Sequence, residues 1–126
     1  GMRRPKGGGF LEMDDVLDDY MQACSGRSGT TIGVVGTDAP LDHEQLARLV
    51  ELAHDGIALA VRPAHMSTDG DTLLGFSTRR PRARRMDYPV FDALHHVAVR
   101  EVARAAANGV RAARALGGVS GSRDVT

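Results

Sequence analysis

Thr30-Thr31-Ile32-Gly33-Val34-Val35-Gly36-Thr37-Asp38 is the most strand-like run of the chain, and its reading decides the fold. β-Branched residues bounded by glycines predict a strand over Thr31–Val35. Its near-continuous apolarity predicts burial on both faces. Gly33 and Gly36 lack side chains, so another backbone or a ligand can approach closely there. Two hydroxyl residues head the run, straight after the loose segment Ser25-Gly26-Arg27-Ser28-Gly29. A Thr in that place, behind a Gly, is where a self-cleaving hydrolase keeps its nucleophile. The same residues also describe an ordinary strand entered through a Gly/Ser loop, and on their own they do not choose between the two.

Downstream, Thr37-Asp38-Ala39-Pro40 reads as a turn. Asp42 starts a helix, with Gln45 three residues on in the manner of a capping box. Leu46, Leu49, Val50, Ala53, Ile57 and Val61 supply its apolar face, and Gly56 either interrupts it or lets it pack closely. Arg62-Pro63 ends it. His65 to Asp71 is a polar loop, and Thr72 to Thr78 reads as a second strand. Arg79 to Arg85 is a basic loop with five arginines in seven residues. Pro89 lies near the start of a long helix that reaches about Leu116, with Leu94, Ala98, Val102, Ala105, Gly109, Ala112 and Leu116 on its inner face. Gly117-Gly118 stops it, and the tail from 117 to 126 is expected to be disordered.

Upstream, Leu11 to Gln22 space Met13, Val16, Leu17, Tyr20 and Met21 as a short amphipathic helix with four aspartates between them. The order is then helix, strand, helix, strand, helix, a layered α/β fold. Two strands leave edges and apolar faces uncovered. The reading therefore expects completion from another chain, another copy or an upstream segment.

With 126 residues and 42% hydrophobic content, the chain suits one small globular domain. No apolar run approaches the roughly 20 residues that span a bilayer. The first residues lack the apolar stretch of a signal peptide, and the single Cys24 excludes an internal disulfide. A cytoplasmic location and no membrane partner are expected. The net charge is zero but unevenly spread. Residues 30–78 carry two basic and seven acidic side chains, whereas residues 79–126 carry ten basic and four acidic. Self-association or pairing within the chain explains this split as well as an outside partner does.

Three polar groupings are candidates for chemistry: Thr30/Thr31, Asp69-Gly70-Asp71 and His95-His96. A Thr hydroxyl needs a base, and one source is its own α-amine once the preceding peptide bond is cut. Before that cut, the hydroxyl can attack the carbonyl ahead of it, and a small residue such as Gly29 leaves room. Two carboxylates one residue apart in a Gly turn can hold amine and hydroxyl in attack geometry. They also describe a plain turn. No calcium-loop ligand series follows them, and His95 and His96, being adjacent, face different directions. No metal and no cofactor are expected. The arginine loop lacks an aromatic platform, so nucleic-acid binding is not favoured.

The stretch Thr30 to Leu41, the helix through Ala53-His54-Asp55-Gly56-Ile57-Ala58, and Asp69-Gly70-Asp71-Thr72 together resemble the C-terminal (β) part of the L-aminopeptidase/D-esterase family. The resemblance covers about residues 28–116. Relatives in that family include β-peptidyl aminopeptidases and nylon-oligomer hydrolases. It implies a precursor that cuts itself into α and β chains, with autocleavage between Gly29 and Thr30. It also implies Thr30 as nucleophile, and Asp69 and Asp71 as the acidic pair that hydrogen-bonds it. The implied fold is half of a four-layer αββα sandwich, in an assembly of αβ units.

Gly29 matches the aminopeptidase branch, whereas Thr at the nucleophile position matches the nylon-hydrolase branch. Residues 1–29 then read as the tail of an α part, 30–116 as the nucleophile-bearing domain and 117–126 as a tail. The family's Tyr and its oxyanion-stabilising Asn belong to an α part that these residues do not include. The expected function is a self-processing aminopeptidase or amide hydrolase. It would act on short peptides, amino-acid amides or esters, or ω-amino-acid oligomers, with an α-chain-like segment and further copies as partners. The alternative is a catalytically incomplete relative that serves as an assembly subunit.

Overall fold

A computed structural model describes residues 29–81 and 85–124. The helix expected over Leu11–Gln22 and Cys24 lie outside the described residues. Four elements follow in order: strand β1 (Ile32–Thr37), helix α1 (His43–Ala60), strand β2 (Thr72–Ser77) and helix α2 (Tyr88–Ala112). The strands pair in parallel, from Ile32 opposite Thr72 to Thr37 opposite Ser77. A parallel pair needs a crossover, and α1 provides it. β1 runs two residues further than the β-branched run predicts. The Phe76 ring lies against Gly36 and takes the place of the missing side chain.

Local chemistry sets the ends of α1. The Gln45 N–H donates to Asp42 Oδ1 at 2.8 Å, which caps the helix. The reciprocal half of a capping box is not made. Instead the Gln45 side chain donates to the Met86 carbonyl at 3.3 Å and ties the start of α1 to the segment ahead of α2. The Gln45 hydrogen bond, opposed by burial and helped by Arg85, holds the Asp42 carboxyl below the ordinary carboxylate value.

The core consists of Leu41, Leu49, Ala53, Ile57, Leu73 and Ala98, with Val35, Leu46, Val50, Phe91, Leu94 and Val102 packed on it. Leu46 and Val50 of α1 sit against Gly75 of β2. The two helices pack closely at Gly56, where an added Cβ would strike the Val99 carbonyl and the Val102 side chain. Of the two roles open to Gly56 in the sequence, close packing is the one it has.

Two expectations change. First, β1 is not covered on both faces. Its burial alternates, and Ile32, Val34, Leu74 and Phe76 are 75%, 63%, 59% and 51% exposed. Among the described residues, helices shield one face of the pair and leave the other an open apolar surface, unusual for parallel strands. Second, α2 ends at Ala112, and only the first half of its expected inner face is covered. Leu94, Ala98 and Val102 meet the core, whereas Ala105, Gly109, Ala112 and Leu116 are exposed. The 25 residues of α2 extend about 37 Å and the 18 of α1 only about 27 Å, so α1 cannot cover the full length of α2. Past the helix, Leu116 and Val119 exchange backbone hydrogen bonds around Gly117 and Gly118, both at positive φ. Ser122 then donates to the Val110 carbonyl, which also accepts from the Ala113 N–H, and Arg123 donates to the Arg111 carbonyl at the helix end.

The uneven charge is partly resolved within the chain. Arg79 pairs with Asp38, and Arg85 with both Asp42 and Glu44. Among the described residues no helix is long and apolar enough to cross a membrane.

Candidate functional site

Continuing the β1–β2 register two residues toward the N-terminus brings Thr30 opposite Gly70. The ladder itself continues that far. Thr72 N–H donates to the Thr31 carbonyl at 2.8 Å, and Gly70 N–H donates to the Gly29 carbonyl at 3.1 Å. Thr30 is exposed, and its hydroxyl oxygen lies 2.9 Å from where a Cβ on Gly70 would sit. Gly29, Thr30, Asp69 and Asp71 are thus gathered at one end of the sheet, although 38 residues of chain lie between Thr30 and Asp69.

The two carboxylates have different surroundings. Asp69 closes its own turn: its N–H donates to the Met66 carbonyl at 2.9 Å, and its Oδ2 accepts from the Met66 N–H at 2.8 Å. Its Oδ1 faces Gly29, 3.7 Å from the place of a Cβ there. Asp71 is more enclosed, with 8% of its side chain exposed. Its Oδ1 accepts from the Thr31 N–H at 2.8 Å, and its Oδ2 lies 3.0 Å from His65 Nδ1. Burial works against the charged form. Hydrogen bonds from the Thr31 backbone and hydroxyl, from the His65 backbone, and the nearby His65 charge together outweigh it and hold the carboxyl below its ordinary value.

His65 joins the site without having been singled out in the sequence, and Gly70, there only the middle of the Asp69-Gly70-Asp71 turn, joins it as the neighbour of Thr30. His65 takes a left-handed backbone, φ 58°, rare for a residue with a side chain. Its Nε2 lies 3.3 Å from the His54 carbonyl, and the two imidazole rings are 5.4 Å apart. His54, in the second half of α1, therefore contacts the loop that carries His65 to Asp71. A polar loop ending in two aspartates is visible in the sequence, but nothing local marks this His as their partner.

The other candidate residues lie elsewhere. His95 and His96 sit on α2; His95 Nε2 is buried and has no hydrogen-bond partner among the described residues. Within those residues no group of three or more His, Cys, Asp and Glu converges as a metal site. A groove lined by Gln45, Arg48, Arg85, Met86, Tyr88 and Phe91 lies where α1 and α2 begin, at the opposite end of the sheet from Thr30.

The arrangement at the sheet head places an accessible hydroxyl in the residue after a peptide carbonyl that already accepts a backbone hydrogen bond, with one carboxylate facing Gly29 and another bound to the Thr31 N–H. Such a group can undergo acyl transfer if the hydroxyl is activated.

Residues 7–124 match the model described as peptidase family S58. An uncharacterised aminopeptidase of Mycobacterium tuberculosis (strain ATCC 25618 / H37Rv) is 34% identical over 105 residues, covering 76% of this chain and 30% of that protein. An uncharacterised aminopeptidase of Mycobacterium bovis matches to the same extent. One from Mycobacterium leprae is 49% identical over 49 residues, 39% of this chain and 14% of that protein. The chain spans less than a third of the length of these curated relatives. No solved structure matches it.

Proposed function

Since the chain belongs to peptidase family S58, the L-aminopeptidase/D-esterase family, we propose that it is the nucleophile-bearing portion of a self-processing aminopeptidase or amide hydrolase. The observation that carries this reading is the meeting of Gly29, Thr30, Asp69 and Asp71 at one sheet end, with the Thr30 hydroxyl exposed there. In the first stage Thr30 attacks the Gly29 carbonyl and frees its own amine. In the second, that amine serves as base while the hydroxyl attacks a substrate. An α-amine has an ordinary pKa of about 7.7–8.0, so a useful fraction is neutral near pH 7. Asp69, whose Oδ1 faces Gly29, is the carboxylate this reading assigns to the new amine. Asp71 holds the backbone of the next residue and fixes the strand head. Fixing reactants in this way is worth several kcal/mol, by the general effect of orientation, about 7–11 at its upper range.

The substrates of this reading are short peptides, amino-acid amides or esters, or ω-amino-acid oligomers. Full activity requires an α-chain-like segment from outside these residues, seated on the open face of Ile32, Val34, Leu74 and Phe76. Intact mass after expression tests the first stage: a split between Gly29 and Thr30, lost in Thr30→Ala, is expected. Hydrolysis of amino-acid p-nitroanilides tests the second. The open sheet face also favours an alternative, an assembly subunit without catalysis. A chain that stays uncut and inactive with a partner bound would support that alternative.

A further inference from the structure

We propose that the backbone N–H of Gly70 is an oxyanion donor of this site. It acts first on the Gly29 carbonyl during self-cleavage and then on the substrate carbonyl that takes its place. The inference rests on the self-processing reading above.

The donor is already on its target before any bond is cut, since Gly70 N lies 3.1 Å from the Gly29 oxygen. A donor helps catalysis most when it is aimed in advance at the atom that gains charge. Gly70 is held in three ways. The Asp69 turn is closed by two hydrogen bonds with Met66, the Thr72 hydroxyl donates to the Gly70 carbonyl at 3.1 Å, and the ladder continues at Thr72. The residue type matters too. A Cβ here would lie 2.9 Å from the Thr30 hydroxyl oxygen, so only Gly leaves the nucleophile space beside the donor. The neighbouring carboxylates would repel an oxyanion: Asp71 is engaged by Thr31 N–H and His65, and Asp69 through Oδ2 by Met66 N–H, while Asp69 Oδ1 faces Gly29, so the Gly29 oxygen needs the Gly70 donor to offset that charge.

Thr30 Oγ forms a bond to the Gly29 carbonyl carbon and its proton passes to solvent. The carbonyl π pair moves onto the oxygen, to which the Gly70 N–H donates its hydrogen bond. Collapse breaks the bond to the Thr30 nitrogen, which takes up a proton and becomes an amine. Water then hydrolyses the resulting ester to the Gly29 carboxylate and the free Thr30 hydroxyl. With Gly29 gone, the same N–H faces the acyl carbonyl of an incoming substrate.

The same bond is also a rung of a β-ladder, and the experiment separates the two roles. Replacing Gly70 by glycolic acid turns its N–H into an ester oxygen and removes only the donor. A matching ester at Thr78 removes a rung of the same kind at the far end, where Thr78 N–H donates to the Thr37 carbonyl at 2.9 Å. Cleavage after Gly29 is followed by intact mass. The Gly70 ester is expected to slow it about 100-fold or more, the range for loss of one oxyanion donor, with the Thr78 ester unchanged. If the unaltered chain stays whole, or Thr30→Ala splits at the same bond, the self-processing reading fails and the donor role with it. If the chain splits and the Gly70 ester keeps pace, or both esters slow equally, the donor role alone fails. A second measurement does not depend on the ester variant folding. In the Thr30→Ala chain, scalar coupling across the hydrogen bond from Gly70 nitrogen to the Gly29 carbonyl carbon is expected, and its absence overturns the assignment.

Discussion

Asp71 makes the densest set of contacts at the sheet head, and its charge state sets an acid limit on the fold. Its carboxyl is held below its ordinary value of 3.8. A carboxyl with a lowered folded pKa adds stability that is fully present above the unfolded pKa and disappears as pH falls through the folded one. The expected outcome is a chain that loses stability below about pH 4, the ordinary carboxylate range, more steeply than Asp71→Asn does. Urea unfolding at a series of pH values measures this. At Gly70 the prediction is kinetic. Gly70→Ala keeps the N–H but forces the Thr30 hydroxyl away from a Cβ 2.9 Å off. Displacement of a reacting group by about 1 Å can cost about 100-fold, so cleavage after Gly29 is expected to slow by one to two orders of magnitude. Intact-mass time courses check it. At this scale, Thr30, Asp69 and Asp71 were legible through a family resemblance. His65 was not, because only its left-handed backbone and its place beside His54 of α1 aim its ring at Asp71.

Among the elements, α1 does most to hold the others in place, and Gly56 is where α2 meets it most closely. Gly56→Ala gains about 1 kcal/mol in helix propensity. It also drives a methyl into the Val99 carbonyl and Val102, and overpacking of this kind costs about 1–3 kcal/mol. The clash involves backbone, which cannot rotate away, so net destabilisation is expected. Leu49→Ala, at a site 1% exposed, is expected to cost about 2–5 kcal/mol. Denaturant midpoints at constant slope test both. The elements were largely readable because their signals are local: β-branched runs between glycines, an Asp cap three residues ahead of Gln45, apolar spacing at 3.6. The end of α2 was not, because its small residues continue in a helical pattern past the point where α1 stops covering them.

For the molecule as a whole, the open face of Ile32, Val34, Leu74 and Phe76 is the feature that asks for a partner. Apolar surface of this kind marks an interaction site. Proposed occupants are an α-chain-like segment or a further copy. The expected result is concentration-dependent association in sedimentation velocity, abolished by Val34→Lys with Leu74→Glu while the helical circular dichroism is kept. A chain that remains monomeric up to high concentration would leave the segment as the occupant. What the sequence determined by itself is the order of the four described elements, strand, helix, strand, helix, since each follows from composition and spacing within about twenty residues. Only the tertiary structure decided which face of that sheet stays open, that Thr30 stands across from Gly70, and that Asp71 reaches Thr31 forty residues away. Those facts depend on the strand register and on the path of the crossover helix, and no local pattern contains either.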